Sequence, residues 1–178
     1  MAETLERRAE SRALVTIFRN LDDVENLEAY VVGVGSELVL LHVVEDFHLD
    51  GYCILPRAHV ERARHSSLER YRGAILRAEK VRTQVGFDGE IDLDGWNGAF
   101  KSLKTLGEPI IVEDEREGSE EFVIGRIERV NKKSASIRGF DPIGRWYDDP
   151  TRFKYEDVTS LVFGSEYVTI YSKYLLDT

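Results

Sequence analysis

The segment 28–47, EAYVVGVGSELVLLHVVEDF, constrains the fold more than any other part of the sequence. It is dense in β-branched and aromatic residues, which favours strands over helices. Gly35-Ser36 separates its two apolar runs and predicts a hairpin turn between them. The run from Val39 to Val44 is too uniformly apolar for a strand with one solvated face, so we predict that it lies at the centre of the core.

A second segment, 125–141, repeats this organisation. Its sequence, GRIERVNKKSASIRGFD, also predicts a strand, a polar turn, a second strand and an acidic residue. In each segment a Gly-containing turn then precedes a large aromatic residue, in Asp50-Gly51-Tyr52 and in Gly144-Arg145-Trp146. Extending both alignments places Val60 and Val158 at equivalent positions. The pattern predicts an internal duplication, with chance similarity as the alternative because pairwise identity is low.

Two short helices are predicted between the β-rich segments. The first spans about 67 to 81 and begins with a capping box formed by Ser66 and Glu69. The second spans 94–107, with Asp94 as its N-terminal cap. The helical periodicity of both segments sets them apart from the strands on either side.

The remaining apolar segments predict further strands, and the N-terminus predicts a short exposed helix or a frayed tail. Asp50-Gly51 predicts a turn, and the strand that follows it ends at Pro56, because proline cannot donate to the ladder. The other predicted strands are 109–112, the alternating segment 122–141 with its turn at Asn131-Lys132-Lys133, 145–147, 153–155, 158–163 and 168–171.

Five short strands with a tight turn near the end resemble the SH3-like and Sm-like barrels, and the chain resembles an uncharacterised bacterial family with two such barrels in tandem. The resemblance rests on Tyr30 to Phe47 with Gly51-Tyr52 and Pro56 to Val60, and on Phe122 to Asp141 with Trp146 and Tyr155 to Phe163. It implies a mainly β fold with minor α content. The implied parts are an N-terminal helix or tail (1–14), a first barrel (15–64), a helical linker (65–108) and a second barrel (109–178).

The chain departs from Sm proteins in the residues that bind RNA. Sm proteins carry an Asp-x-x-Asn turn and a late Arg-Gly pair. The aligned turns here read Phe47-His48-Leu49-Asp50 and Asp141-Pro142-Ile143-Gly144. The resemblance therefore implies the fold and does not imply nucleotide binding.

The charge balance favours a protein partner over a general nucleic-acid partner. The 178 residues include 33 acidic and 24 basic side chains, a net charge of −9, whereas binding to phosphate backbones depends on clustered Lys and Arg. No apolar stretch is long enough for a membrane span, and the charged N-terminus lacks the apolar core of a signal peptide. We therefore expect a cytoplasmic protein. The single cysteine excludes a disulfide framework within the chain.

The second β-rich segment contains the strongest candidate binding residues. Aromatic side chains among Arg and Lys are typical of small barrels that hold single-stranded nucleic acid, which gives an alternative function. Nearby acidic residues almost cancel the positive charge, so a solvated face is the simpler interpretation. The candidate binding residues are Arg126, Arg138, Arg145, Trp146 and Tyr147, with Arg129, Lys132, Lys133, Arg152 and Lys154 as the other basic members of the patch.

A metal site is the only enzymatic hypothesis that the sequence offers. His42, His48 and Asp50 are the candidate ligands of a metal-dependent hydrolase, and the wet end of a strand is the alternative interpretation. Cys53 lies in an apolar strand, which predicts a buried structural thiol rather than a nucleophile. Both Gly-rich nucleotide motifs are absent from the sequence, so we predict no cofactor.

Two further segments point to protein contacts. The acidic loop 113–121 predicts a solvated, mobile hairpin tip that a basic partner surface can use. The aromatic segment 167–175 predicts a strand, which invites pairing with a second copy if it lies at a barrel edge and otherwise pairs within its own barrel. The sequence therefore predicts a non-enzymatic interaction or scaffold module that self-associates.

Overall fold

The computed structural model describes residues 2–119 and 121–176, and within them ten strands form one antiparallel open sheet with four α-helices packed on it. The strands are β1 (Leu14–Arg19), β2 (Leu27–Val34), β3 (Leu38–Glu45), β4 (His48–Pro56), β5 (Val60–Arg64), β6 (Ile110–Asp114), β7 (Glu121–Val130), β8 (Ser134–Gly139), β9 (Thr151–Lys154) and β10 (Ser160–Phe163). The helices are α1 (Ala2–Ser11), α2 (Ser67–Ala78), α3 (Trp96–Leu106) and α4 (Glu166–Lys173). The prediction of a mainly β fold is confirmed. None of these four helices has the length and apolar character that crossing a bilayer requires.

The strand order of the sheet falls into two equal parts. It runs β5-β1-β2-β3-β4-β10-β6-β7-β8-β9, so both halves follow the order fifth, first, second, third, fourth. A helix precedes the five strands of each half and another follows them. The halves are joined where β4 pairs with β10, through Ile54 opposite Leu161 and Cys53 opposite Val162. One continuous sheet therefore spans both halves.

Each half has its own main core, and the two main cores lie on opposite faces of the sheet, with a smaller buried cluster beneath α2 and another beneath α4. Successive side chains of a strand point to opposite faces. On β4, Cys53 packs in the core of the first half, whereas its neighbour Ile54 packs in the core of the second. The helix that precedes each half closes its core: Leu5 of α1 lies in the first, and Phe100 of α3 lies in the second. The run Val39–Val44, predicted to be central, contributes buried side chains of β3 to both cores.

Local signals correctly predict several boundaries. Ser66 and Glu69 form the expected capping box at the start of α2, and Pro56 ends β4. The prediction that Asp94 caps α3 is wrong, because the residue at the cap position is Gly95. The Asp94 carboxylate instead accepts a hydrogen bond from the Ser36 backbone amide at 2.9 Å, which ties the connector to the β2–β3 turn.

The turn predicted at Asp50-Gly51 is wrong, because β4 runs through both residues. The chain reverses at Asp46-Phe47, where Asp46 takes a left-handed conformation (φ 50°). Gly51 (φ 67°) instead lies at an irregularity in the β3–β4 pairing. A Cβ atom there would lie 2.3 Å from the Ser165 backbone nitrogen. The glycine is thus needed for a bulge and a close approach rather than for a hairpin turn.

The strand predicted over 168–171 is wrong, because these residues lie in helix α4. Ser165 caps the helix, and its hydroxyl accepts from the Val168 backbone amide at 3.4 Å. Val168 is then buried against Ile111 and Ile124 of the sheet. This burial outweighs the strand preference of the β-branched and aromatic residues in the segment. The predicted strand at 145–147 is reduced to a single bridge between Phe140 and Trp146.

Candidate functional site

The outer face of β7, β8 and β9 carries four arginines out of the eight basic residues singled out in the sequence. Arg126 lies directly opposite Arg138 on neighbouring strands, and Ser136 lies opposite both Arg129 and Arg152. The alternate residues of these strands, such as Ile137, point into the core instead. Four arginines therefore share one side of a three-stranded sheet, which we call the basic face.

Trp146 lies beside this basic face. The guanidinium carbon of Arg126 lies 5.4 Å from the centroid of the Trp146 ring, within range of a cation–π contact. A shallow depression of 280 Å³ is lined by Arg126, Glu128, Arg138 and Trp146. The structure thus brings three of the five predicted binding residues together. Glu128 is the acidic neighbour, with its carboxylate 3.9 Å from Arg138.

The other two predicted binding residues lie elsewhere. The Tyr147 carbonyl accepts from Nε of Arg138 at 3.3 Å, but the Tyr147 side chain lines a separate depression of 170 Å³ with Tyr171. Arg145 has an exposed side chain, and its backbone amide donates to the Asp141 carboxylate at 2.9 Å. The five residues therefore do not form one site.

The predicted metal ligands do not converge. His42 is buried, with its ring stacked on Tyr52 at a centroid distance of 4.3 Å, and burial lowers its pKa below the ordinary value. His48 lies at the exposed start of β4. Asp50 accepts a hydrogen bond from the backbone amide of Glu166 at 2.6 Å. In residues 2–119 and 121–176 no three His, Cys, Asp or Glu side chains are grouped to hold a metal ion.

The prediction that Cys53 is a buried structural thiol is confirmed. Its side chain is 2% exposed in the core of the first half. Burial raises the pKa of the thiol to about 12, so the thiolate form is strongly disfavoured.

Exposed apolar side chains are concentrated at the C-terminal end of the described chain. Eleven large apolar side chains are exposed in the described residues, and seven of them lie in the β7, 143–147 and α4 region. The segments are in contact, since the Leu176 amide donates to the Gly144 carbonyl at 2.9 Å. We call this region the C-terminal apolar surface. Its members are Phe122, Ile143, Tyr147, Tyr167, Ile170, Tyr174 and Leu176.

The acidic loop is less solvated than the sequence predicts. Glu115 forms an ion pair with Arg19 of β1, and Asp114 is buried with a bidentate contact from Arg116. Burial raises the pKa of Glu113, although the Ser160 hydroxyl donates to its carboxylate. The first two residues of the predicted loop, Glu113 and Asp114, lie in β6, and Glu115 is held by its ion pair. The exposed tip consists, among the described residues, of 116–119.

These loop residues line a groove of 790 Å³ between the two halves, which we call the acidic groove. Sequence reasoning missed it because its walls come from segments far apart in the chain. One wall is the β1–β2 loop around Asp23, and the other is formed by the loop after β6 and by Tyr167 of α4. The only signal in the sequence was the run of acidic residues itself.

No family model, no curated protein and no solved structure matches this chain. The basic face, the C-terminal apolar surface and the acidic groove are therefore the features that bear on its function.

Proposed function

We propose that the protein is a non-enzymatic interaction module that self-associates through the C-terminal apolar surface. The observation that carries this proposal is the concentration of seven of the eleven exposed large apolar side chains of the described residues on that one surface. Contiguous apolar patches on a soluble protein mark interaction sites, whereas single exposed apolar residues are ordinary.

The module consists, in this proposal, of two copies of one small SH3-like or Sm-like barrel in tandem. The repeated strand order and the helix before and after each set of strands support a duplication. Val60 and Val158, aligned in the sequence, are both buried just after a short turn that follows the fourth strand of each half. Ser66 and Ser165 cap the two helices that follow the fifth strands.

Helix α4 provides a self-complementary contact. Tyr167 and Ile170 are exposed on α4, and Tyr174 is exposed directly after its last residue; the spacings of three and four residues bring the three side chains to one side. Glu166 lies in its first turn and Lys173 in its last turn. If two copies pair through α4 in antiparallel orientation, each Glu166 comes near the Lys173 of the other copy. Such a twofold contact is the commonest form of self-association.

Pairing through α4 replaces the edge-strand pairing that the sequence suggested. The end strands of the sheet are β5 and β9. Both carry basic side chains, including Arg62 on β5 and Arg152 with Lys154 on β9. Like charges on the two edges oppose strand pairing between copies, and charged edge strands are a common protection against it.

Sedimentation velocity over a range of concentrations tests the self-association. We expect a particle larger than the 20.4 kDa monomer for the wild-type protein and a monomer for Tyr174→Glu, because a charge then lies inside the apolar contact. Tyr71→Glu is the matched control, since Tyr71 and Tyr174 are 69% and 75% exposed but Tyr71 lies on α2. A monomer for the wild type at the highest concentration, or equal disruption by both variants, contradicts the proposal.

A second candidate function is the binding of single-stranded nucleic acid on the basic face. The favouring observation is that four arginines and Trp146 share one side of β7–β9, although the chain as a whole is acidic. Aromatic stacking and arginine contacts to phosphates are the two features that sequence-independent single-strand binding requires. The open depression beside Trp146 offers a place for one base.

Fluorescence anisotropy with a labelled oligothymidylate tests this second function. We expect binding that weakens with salt, and a loss of about tenfold in affinity for Trp146→Ala because base stacking is lost. Arg126→Gln should reduce the salt dependence, whereas Arg70→Gln, an exposed site on α2, should leave binding unchanged. Absence of binding at low salt excludes this function.

A further inference from the structure

The acidic groove lies where the two halves of the sheet meet. Its floor is the sheet itself around the β4–β10 joint, where Cys53 is paired with Val162 and Val162 with Ile111. The three side chains point to the same face, since directly paired residues share a face. Leu27 and Val43 of the first half extend this floor. The bottom of the groove is therefore apolar across five strands.

The size of the groove suits a bound segment. Its volume of 790 Å³ lies in the range of about 300–1,000 Å³ that is typical of small-molecule sites, which is room for the side chains on one face of a bound segment. Two large apolar side chains, Phe122 and Tyr167, stand at its rim and are each 52% exposed. Val24 of the β1–β2 loop also lines the groove and is half-buried. Apolar side chains of an occupant can therefore be buried against the floor of the groove and against Val24, Phe122 and Tyr167.

The rim of the groove is strongly acidic. Nine of its lining residues are Asp or Glu and one, Arg19, is basic, but Arg19 is neutralised by Glu115. Of the nine, Asp114 and Glu115 are paired with arginines. In the described part of the chain no salt bridge joins the others to a cation. The lining carboxylates are Asp22, Asp23, Glu25, Asp50, Glu113, Asp114, Glu115, Glu117 and Glu121.

The charge distribution determines what kind of cation fits. The exposed carboxylates come from two segments far apart in the chain, Asp22 and Asp23 from the β1–β2 loop and Glu117 and Glu121 from the region between β6 and the start of β7. No three are grouped closely enough, among the described residues, to hold a metal ion. An occupant must therefore carry several separated positive charges. The apolar floor requires that it also carry apolar side chains.

We propose that the acidic groove binds a segment of a partner protein with Lys or Arg side chains on one face and apolar side chains on the other. The apolar face lies on the sheet around Cys53 and Val162, and the basic side chains reach the carboxylates of the rim. The groove shares Phe122 and Tyr167 with the C-terminal apolar surface, whereas Ile170 and Tyr174 belong to that surface alone, so a substitution at Tyr174 tests self-association separately. In this proposal the excess of acidic residues in the chain attracts the basic side chains of the partner.

A peptide titration tests the proposal. The probe is a fluorescein-labelled peptide of about 14 residues composed of Leu and Lys, with Leu at helical spacing so that one face is apolar. A scrambled peptide of the same composition separates the apolar face from charge alone. We expect the patterned peptide to bind about tenfold more tightly than the scrambled one, and binding to weaken as salt is added.

Matched variants locate the binding. Neutralising one wall in Asp22→Asn/Asp23→Asn/Glu25→Gln should weaken binding of the patterned peptide about tenfold. The control Asp148→Asn/Asp149→Asn/Glu156→Gln makes the same change in net charge at exposed positions outside the groove and should leave binding unchanged. Val24→Ser should weaken the patterned peptide and leave the scrambled peptide unaffected. Circular dichroism checks that each variant is folded.

Three results overturn the proposal. They are no binding of the patterned peptide at low salt, equal binding of the patterned and scrambled peptides, and an equal loss in the two triple variants. The second and third results mean that the acidic protein attracts cations in general. None of them bears on the sedimentation result for Tyr174→Glu, so the groove and the self-association can fail separately.

Discussion

Arg19 and Glu115 form a largely buried ion pair across the two halves of the protein, although 96 residues separate them in the sequence. Nη1 of Arg19 donates to the Glu115 carboxylate at 2.9 Å, and the Thr159 hydroxyl donates to the same carboxylate at 2.8 Å. The Arg19 side chain is 3% exposed. The pair joins β1 to the loop after β6, at the base of the acidic groove. It therefore links the first half to the second outside the β4–β10 joint.

Removing one partner of this pair should destabilise the fold. Glu115→Ala leaves the Arg19 guanidinium buried without its carboxylate, and we expect a loss of about 3 kcal/mol in the free energy of unfolding. The control is Glu117→Ala, an exposed neighbour in the same loop, with an expected effect within about 0.5 kcal/mol. Urea denaturation measures both. Equal stability of the two variants would mean that the pair contributes nothing.

Glu69 should make stability depend on pH in the acid range. Its side chain is fully buried, and burial alone would raise its pKa, but hydrogen bonds from Ser66, Thr16 and Arg64 outweigh this and hold the pKa well below the ordinary value. The resulting stabilisation is present above the ordinary pKa of Glu and is lost as the pH falls below it. We expect Glu69→Gln to be less stable than wild type at about pH 7, with a difference that shrinks towards about pH 3.

Urea denaturation at several pH values checks this prediction. Glu61→Gln, at an exposed position on β5, should be as stable as wild type throughout. A constant difference between Glu69→Gln and wild type across the acid range would show that the charge of Glu69 is not the source of its contribution.

The sequence predicted elements whose signals are local. Ser66 and Glu69 belong to one turn of helix, and Pro56 ends a strand through its own missing amide, so neither depends on distant residues. Helix α4 was mispredicted because its identity depends on distant residues. Its Val168 is buried on a sheet face formed by Ile111 and Ile124, which adjoin it only after the sheet has formed. Burial there overrides local preference.

The same distinction explains the candidate sites. Arg126 and Arg138 were singled out as basic residues of one predicted hairpin, and the structure pairs them directly because β7 and β8 are consecutive strands. The acidic groove was missed because Asp23 and Glu117 meet across the sheet from different halves. The ion pair of Arg19 and Glu115 could not be predicted for the same reason. A run of acidic residues predicts a solvated loop, and nothing local in the sequence indicates that Arg19 of β1 lies against it.

Cys53 should be inert in the folded protein. Burial raises the pKa of its thiol to about 12, and its side chain is 2% exposed at the floor of the groove. We expect negligible labelling by a thiol-reactive disulfide reagent at about pH 8 in buffer and complete labelling in denaturant. Absorbance of the released thiolate follows the reaction. Fast labelling of the folded protein would mean that the β4–β10 joint opens readily.

Replacing each of two glycines in regular elements by alanine should change the stability of the protein in opposite directions. At Gly73, inside α2, the nearest atom to an added Cβ is the Cβ of Leu14 at 3.6 Å, an ordinary contact. Because alanine favours the helix and restricts the unfolded chain, we expect Gly73→Ala to stabilise the protein by about 0.5–1 kcal/mol. At Gly125, on β7, an added Cβ would lie 2.0 Å from the Arg138 carbonyl oxygen.

Gly125→Ala therefore requires β7 and β8 to move apart opposite Gly139, and we expect a loss of about 2 kcal/mol or more. Urea denaturation of both variants measures the two changes. Both substitutions add the same methyl group, so a difference between the two variants reflects the backbone conformation and the space at each position. A stabilised Gly125→Ala would mean that β7 and β8 are farther apart at this position than the structure has them, and a destabilised Gly73→Ala would mean that α2 packs more tightly on Leu14.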